Sequence, residues 1–301
     1  MEEIIKLVDK YKIGKILCNE PLKKYNTYKI GGIAKYIVFP KNEEKLIILL
    51  KLIKKNNIKY KVIGKGSNLI FSSKTFDGII IKLDEFDKLT VDDTIVTVGA
   101  GYSIMRLALE MTKKGLSGLE FATGIPGSVG GAVFMNAGAY NSDMGYIVSE
   151  IKAIDPNLNI VTLFNSDLDF HYRTSFLQKN PEYICIEVKL VLKHGDKKIM
   201  MEIIEDRKQR RLLTQPLEYP SAGSVFRNPE IAPAGKLIEE AGLKGKTIGG
   251  AMISKKHANF IINNGNATGE DIYNLISLVK NEIKKQTGVE LRQEQEFVNW
   301  E

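Results

Sequence analysis

The sequence predicts an α+β protein in two parts. Three observations carry that reading. Strand-like and helix-like apolar repeats alternate irregularly along the 301 residues, with no internal repeat and no low-complexity tract. A run from Phe121 to Tyr140, FATGIPGSVGGAVFMNAGAY, has five glycines and no charge, so its backbone can approach a neighbour without a Cβ in between. His194-Gly195-Asp196 reads as a turn and a domain boundary, and a chain of this length is long for one core.

The elements follow in order. Residues 1–24 read as a short helix and a lead-in. Gly31-Gly32 is a turn before a strand at Lys35–Phe39. In KNEEKLIILLKLIKKNN, Leu46, Leu49, Leu50 and Ile53 fall on one helical face. Tyr60–Ser73, YKVIGKGSNLIFSS, is strand, tight glycine turn, strand, and Ile79–Leu83 and Thr94–Gly101 are further strands. Ser103 caps a helix that buries Ile104, Leu107, Ala108 and Met111, and Gly115 stops it. The Phe121–Tyr140 run is too small-sided for an ordinary helix or strand. EIKAID and NIVTLF are two short strands joined at Pro156-Asn157. Ile184, Ile186, Val188, Leu190 and Leu192 alternate with more polar partners, as in a half-buried strand. IMMEIIEDRKQRR is a helix, Tyr219–Pro229 a turn-rich loop, and AGKLIEEAG a short helix ending at Gly242. Thr268, with Asp271 three residues on, starts the last helix. Its stripe of Ile272, Leu275, Ile276, Val279 and Ile283 closes at Gly288.

Composition excludes several classes. No apolar run reaches the ~18–20 residues that span a bilayer, and MEEIIKLVDKYK is mixed-charge rather than a secretory leader. The expected location is the cytoplasm, with no membrane partner. Cys18 and Cys185 are far apart, without CxxC, and His171, His194 and His257 share no helical spacing. Neither a disulfide nor a metal is expected. The net charge of +7 is spread over many lysines, mostly a solvated face, and is compatible with anionic small ligands. KQRR at Lys208–Arg211 is the densest basic spot and is short, so no nucleic-acid partner is expected.

GKGSNL, Gly64–Leu69, is the first chemical signal. Consecutive backbone N–H groups in a glycine turn form a concavity that binds phosphate oxygens; alone, such a turn is more often a plain hairpin. It is not a Rossmann fingerprint, because Leu69 stands where a third glycine is needed and a strand-like IFSS follows. GLKGKT, Gly242–Thr247, is not a Walker loop, because Glu240 occupies the place of its first glycine. Two backbone cradles, Gly64–Asn68 and Phe121–Tyr140, suit an extended dinucleotide. The pairing resembles the flavin-binding domain of the vanillyl-alcohol-oxidase (PCMH) type.

From Tyr25 onward the chain also resembles the UDP-N-acetylenolpyruvoylglucosamine reductase family. The resemblance rests on NTYKIGGIA (Asn26–Ala34), IGKGSNLIFS (Ile63–Ser72), Gly118–Tyr140, YRTSF (Tyr172–Phe176), QPLEYPSAGSVFRNP (Gln215–Pro229), AGKLIEEAGLKG (Ala234–Gly245) and L-x-x-E at Leu291–Glu294. The chain looks like the shorter class of that family, which lacks a tyrosine-bearing loop. After the lead-in helix over 1–24, this resemblance implies an FAD-binding domain in two subdomains over 25–195 and a C-terminal α+β substrate domain over 196–301. It implies FAD held by Gly64, Lys65, Gly66, Ser67 and Asn68, and by Thr123, Gly124, Ile125, Pro126, Gly127, Gly130, Gly131, Asn136 and Gly138. It implies NADPH as hydride donor and a small-molecule substrate, the enolpyruvyl ether of UDP-N-acetylglucosamine. The product would be UDP-N-acetylmuramate, a peptidoglycan precursor.

That reaction has clear physical demands. Hydride addition to the terminal carbon pushes negative charge onto the adjacent carboxylate, which preorganised positive charge stabilises. A positioned acid then protonates the neighbouring carbon. Arg173 matches the family's arginine, whose fork grips a carboxylate. Ser224 matches its proton donor. Glu294 matches a glutamate that helps polarise the carboxylate, with Glu296 as the alternative register, because LRQE departs from the family's LEPE. Tyr172, Arg227, Asn228, His257 and Asn259 match the substrate pocket. Taken alone, Arg173 and Ser224 are more often an ordinary surface or turn residue, and Glu294 is one of several exposed acids in RQEQE. Thr214 stands where the shorter class carries Lys, and Lys65 where Asn is common. Two rival readings are an oxidase built on the same flavin domain and a sugar-nucleotide binder without turnover. The joint presence of Arg173, Ser224 and Glu294 argues against the second.

Overall fold

The computed structural model describes residues 2–300. The chain forms two compact units. One comprises the chain up to Cys18, Tyr36–Lys65 and Asp77–Arg207; the other comprises Asn19–Lys35, Gly66–Phe76 and the chain from Lys208. Each buries its own core.

The first unit carries α1 (Glu2–Lys10), α2 (Glu43–Lys55), α3 (Ile104–Lys114), α4 (Val129–Phe134), α5 (Phe176–Lys179) and most of α6 (Lys197–Thr214). A five-stranded sheet runs in the order Ile160–Phe164, Val148–Ile154, Ile184–Val191, Ile95–Gly99, Leu89–Asp92, all neighbours antiparallel. A four-stranded sheet runs Gly14–Pro21, Ile33–Pro40, Phe76–Lys82, Tyr60–Ile63, the last two parallel. Side-chain caps set the helix starts, the one at Ser103 read from sequence and the one at Asn42 seen only in the structure. Asn42 Oδ1 accepts from Lys45 N at the start of α2, and Ser103 Oγ from Arg106 N at the start of α3. Gly115 ends α3 at φ +80°, where a Cβ would be strained. Leu46, Leu49, Leu50, Ile53, Ile104, Leu107 and Met111 are buried, each large side chain contributing about 1.5–3 kcal/mol on full burial.

The second unit holds α7 (Ala234–Glu240) and α8 (Gly269–Thr287) against a meander of Thr247–Ile248, Ala251–Ile253 and Ile261–Asn263. Glu296–Val298 runs parallel to Leu69–Phe71. The expected capping box is formed: Asp271 N donates to Thr268 Oγ1 and Thr268 N to Asp271 Oδ2. Gly288 closes α8 in the left-handed region. The stripe Ile272, Leu275, Ile276, Val279 and Ile283 is buried with Tyr28, Ile70 and Phe226.

Three expectations change, and one strand was not anticipated. The turn at His194–Asp196 is not where the chain divides. Lys193 and His194 pair with Ser117 and Leu116, and Gly195 N donates to Gly115 O, so this segment is sewn into the first unit and α6 begins there. The lead-in over 1–24 is not one element: α1 and Ile13 join the first core, Gly14–Pro21 is a strand, and Asn19–Lys35 belongs to the second unit. The small-residue run does contain a helix, α4. Ser128 Oγ accepts from Gly131 N, and Val129, Ala132 and Val133 face the core. The strand Leu89–Asp92 escapes notice in the sequence because it is a polar edge strand with alternating exposure.

The cysteines differ in environment. Cys18 is exposed, whereas Cys185 lies inside the first core, where burial pushes its thiol up to about 12. Reactivity requires the thiolate. Native protein is therefore expected to take up one equivalent of a maleimide, at Cys18, and a second only after denaturation. Mass spectrometry after timed labelling checks this; rapid native labelling of Cys185 would contradict the packing.

Candidate active site

In the first unit the short glycine turn and the long glycine run meet directly. A Cβ on Gly64 would lie 2.4 Å from Ser128 Oγ, just ahead of α4. Gly131 is exposed, and that same oxygen is the nearest atom a Cβ there would meet, at 3.2 Å. Residues 127–129 are anchored on the start of α3: Ile104 N donates to Gly127 O, Val129 N to Tyr102 O, and Ser103 bridges Ser128. Gly130 N donates to Ala100 O at 2.8 Å, and a Cβ on Gly130 would be 2.8 Å from Ala100 Cβ. The amides of Val129, Gly130 and Gly131 are thus committed to protein acceptors. Gly130 serves close backbone approach, and Gly131 leaves an open face. Thr123, Gly124, Ile125 and Gly127 are half-buried and Pro126 is exposed on the adjoining turn.

Behind the short turn lies a buried cation that the sequence does not flag. Lys82, 3% exposed, donates from Nζ to Gly64 O at 2.5 Å and sits 3.3 Å from Asp84 Oδ1. Burial pulls its pKa down, and Asp84 opposes that shift. Lys65, on the surface of the turn, approaches the same carboxylate at 3.7 Å. A side-chain-poor backbone with positive charge beneath it fits a flavin dinucleotide, whose diphosphate needs close approach and charge compensation.

The same unit fixes Arg173. His171 N donates to Thr174 O and Thr174 N to His171 O, so Tyr172 and Arg173 form the tip of a two-residue turn, with Arg173 at φ +55°. The turn is fastened to the end of α4. Ser175 Oγ and Gln178 Nε2 donate to Phe134 O, Gln178 Nε2 also to Arg173 O, and Asn136 Nδ2 to His171 O. Arg173 donates to Gly138 O at 2.5 Å and lies 5.1 Å from the centre of the Tyr172 ring. Gly138 is buried, with no room for a Cβ beside Ser142 O.

In the second unit Gly66, Ser67 and Asn68 complete the glycine turn. Gly66 takes φ +66°, and a Cβ there would collide with Tyr25 O. Asn68 Nδ2 donates to Glu294 O at 3.1 Å, and Glu296 N donates to Asn68 O. Ser224 and Glu294 lie on paired backbone segments. Ser224 bridges Phe260, Glu294 N donates to Val225 O at 2.8 Å, and Arg227 N to Arg292 O. Asn259, 4% exposed, has its carboxamide taken up by Phe226, accepting from its N and donating to its O. Asn228 is exposed, and its Oδ1 accepts from Ala234 N at the start of α7. His257 Nδ1 accepts from Asn259 N, and burial lowers the His257 pKa, favouring neutral imidazole.

The residues read as one set from sequence are thus divided. Arg173, Tyr172 and the long glycine run belong to the first unit, while Ser224, Arg227, Asn228, His257, Asn259 and Glu294 belong to the second. The turn Gly64–Asn68 is split between the two after Lys65. Lys82 went unread because IIIKL looks like a plain strand. Gln295 went unread because RQEQE looks like a solvated charge run.

Fold and cradle define a flavin-binding oxidoreductase. Residues 34–163 match the model of an FAD binding domain, and residues 215–298 that of the UDP-N-acetylenolpyruvoylglucosamine reductase C-terminal domain. The reductase of that name from Bacillus subtilis is 45% identical over 99% of both chains, and that from Anoxybacillus flavithermus 46% over the same share. The crystal structure of the Thermus caldophilus enzyme superposes with a TM-score of 0.80 at 33% identity, covering 94% of this chain and 98% of that one. The chain belongs to the UDP-N-acetylenolpyruvoylglucosamine reductase family. Its fold class is the expected one, an FAD-binding domain joined to a C-terminal α+β domain.

The contact at Ser128 is testable without catalysis. Gly64→Ala is expected to cost about 1–3 kcal/mol through overpacking, and Ser128→Ala about 0.5–2 kcal/mol through loss of the cap. The double variant should cost less than the sum, because the second change removes the oxygen that the first collides with. Urea unfolding of the three proteins measures this; strictly additive costs would contradict the contact.

Proposed function

We propose that this protein reduces the enolpyruvyl ether of UDP-N-acetylglucosamine to the lactyl ether of UDP-N-acetylmuramate, with NADPH as electron donor, in peptidoglycan precursor synthesis. The observation that supports it best is the backbone pairing of Val225–Arg227 with Arg292–Glu294, which holds the segment that follows Ser224 against the one that carries Glu294. Bound FAD supplies the relay of hydride from nicotinamide to the terminal enolpyruvyl carbon. The chain's own groups do the rest. The Arg173 guanidinium binds the substrate carboxylate and stabilises the charge that develops on it. Glu294 polarises that carboxylate, and Ser224 Oγ gives its proton to the carbon bearing the ether oxygen. A serine is a weak acid, so the developing negative charge must draw the proton. Tyr172, Arg227, Asn228 and His257 are assigned to the sugar nucleotide. Asn259 is assigned to the backbone that carries Ser224 rather than to the ligand.

The alternation of half-reactions tests the proposal. The purified protein is expected to be yellow, to bleach with NADPH, and to recover colour when the enolpyruvyl sugar nucleotide is added without oxygen. Ser224→Ala should bleach at the wild-type rate and recover about 10²–10⁴-fold more slowly. Colour that returns only with oxygen would point to the oxidase. A colourless protein that stays so with added FAD would sink the proposal.

A further inference from the structure

Gln295 sits inside RQEQE, a stretch that looks solvated, yet it is 3% exposed. In an extended chain successive side chains point to opposite faces. Gln295 turns into the second core while its neighbours Glu294 and Glu296 are half-buried on the other side. Its Nε2 lies 3.0 Å from Ala222 O, 3.2 Å from Gly223 O and 3.4 Å from Ser224 O. Its Oε1 accepts from Tyr28 Oη at 2.9 Å. Carbonyls only accept, so the amide has one orientation: NH₂ towards the serine loop, oxygen towards Tyr28. Tyr28 is itself fully buried, and burial raises its phenol pKa, which keeps the hydroxyl a donor. Its backbone oxygen accepts from Asn263 Nδ2, so the support is rigid.

Three consecutive carbonyls converging on one amide require a tight curl. Gly223 provides it at φ +75°, a conformation that side chains resist. Immediately afterwards the chain straightens: Val225 N donates to Asn259 O, and Phe226 N to Asn259 Oδ1. Ser224 stands at the junction, with its preceding curl held by one buried carboxamide and its following strand by another. An apolar side chain of similar size would fill the space of Gln295; what the amide adds is direction.

We infer that Gln295 is a positioning residue for Ser224. It fixes the curl that aims Ser224 Oγ, and, as the residue after Glu294, it ties proton donor and carboxylate to one anchor. The inference rests on Ser224 being the proton donor, and the test separates the two.

Gln295→Met keeps length and removes the donor. Gln295→Glu keeps shape and turns an acceptor towards three carbonyls. Rapid-mixing spectroscopy of the FAD-loaded enzyme then follows flavin reduction by NADPH and reoxidation by the enolpyruvyl sugar nucleotide. Gln295→Met is expected to leave reduction unchanged and to slow reoxidation ~10–100-fold, the usual effect of a small misplacement. Added to Ser224→Ala, it should slow reoxidation no further. In Gln295→Glu a buried carboxyl facing carbonyls has a raised pKa, and its protonated form can donate again. Reoxidation should therefore quicken as pH falls from about 8 to about 6, a rise absent from wild type. Should Gln295→Met fail to fold, Tyr28→Phe removes only the support of the amide oxygen and should slow the same half-reaction less. Wild-type reoxidation in Gln295→Met (or in Tyr28→Phe, where that variant stands in), with Ser224→Ala slow, overturns the inference alone. So does equal slowing of both half-reactions, or an additive loss in the double variant. Wild-type reoxidation in Ser224→Ala overturns the reading of Ser224 and the inference with it.

Discussion

The first unit depends on one close approach of backbone to backbone, Gly130 against Ala100. No side chain fits there: a Cβ on Gly130 would stand 2.8 Å from that of Ala100. The contact seats α4, and α4 seats the rest. Its Phe134 carbonyl receives Ser175 and Gln178, which pin the turn bearing Arg173, and its leading serine meets the glycine turn at Gly64. A six-residue helix is too short to be stable by itself. It exists because tertiary contacts hold both ends, and for that reason it transmits position so directly. The small residues of the run are what permit the contact.

The second unit solves a similar problem with polar groups. Gln295 and Asn259 are buried: Asn259 is satisfied by the Phe226 main chain, and Gln295 by the carbonyls of residues 222–224 and the Tyr28 hydroxyl. A buried carboxamide with partners costs little and points in one direction; one without them costs several kcal/mol. The serine loop is therefore held by directional bonds and the glycine helix by shape. Both devices suit the proposed chemistry, in which Ser224 as acid and Arg173 as carboxylate ligand depend on geometry fixed beforehand.

Much of this was legible in the sequence. Ser103, Thr268 and the glycines at 115 and 288 announce their helix ends, because caps are local chemistry. The motifs around Arg173, Ser224 and Glu294 identified the family. What stayed hidden was long-range. Nothing near Tyr28 says that it meets Gln295, more than 260 residues later, or that residues 19–35 and 66–76 leave the first unit for the second. The turn at His194–Asp196 looked like a boundary because turn chemistry does not tell a linker from a corner inside a domain. Lys82 was hidden for the opposite reason: one polar residue in an apolar strand is unremarkable until its partner, the Gly64 carbonyl, is known. Asn259, expected in the substrate pocket, has its carboxamide bonded to the Phe226 backbone, a partner its local sequence does not announce.

The central claim is that α4 makes the glycine cradle and the Arg173 turn one mechanical body. Hydrogen–deuterium exchange with and without FAD tests it most directly, comparing peptides that cover 129–137 with those that cover 171–178. The account predicts that both gain protection together when FAD is added, although 171–178 was never assigned to the cofactor. Protection confined to 129–137, with 171–178 exchanging as before, would contradict it.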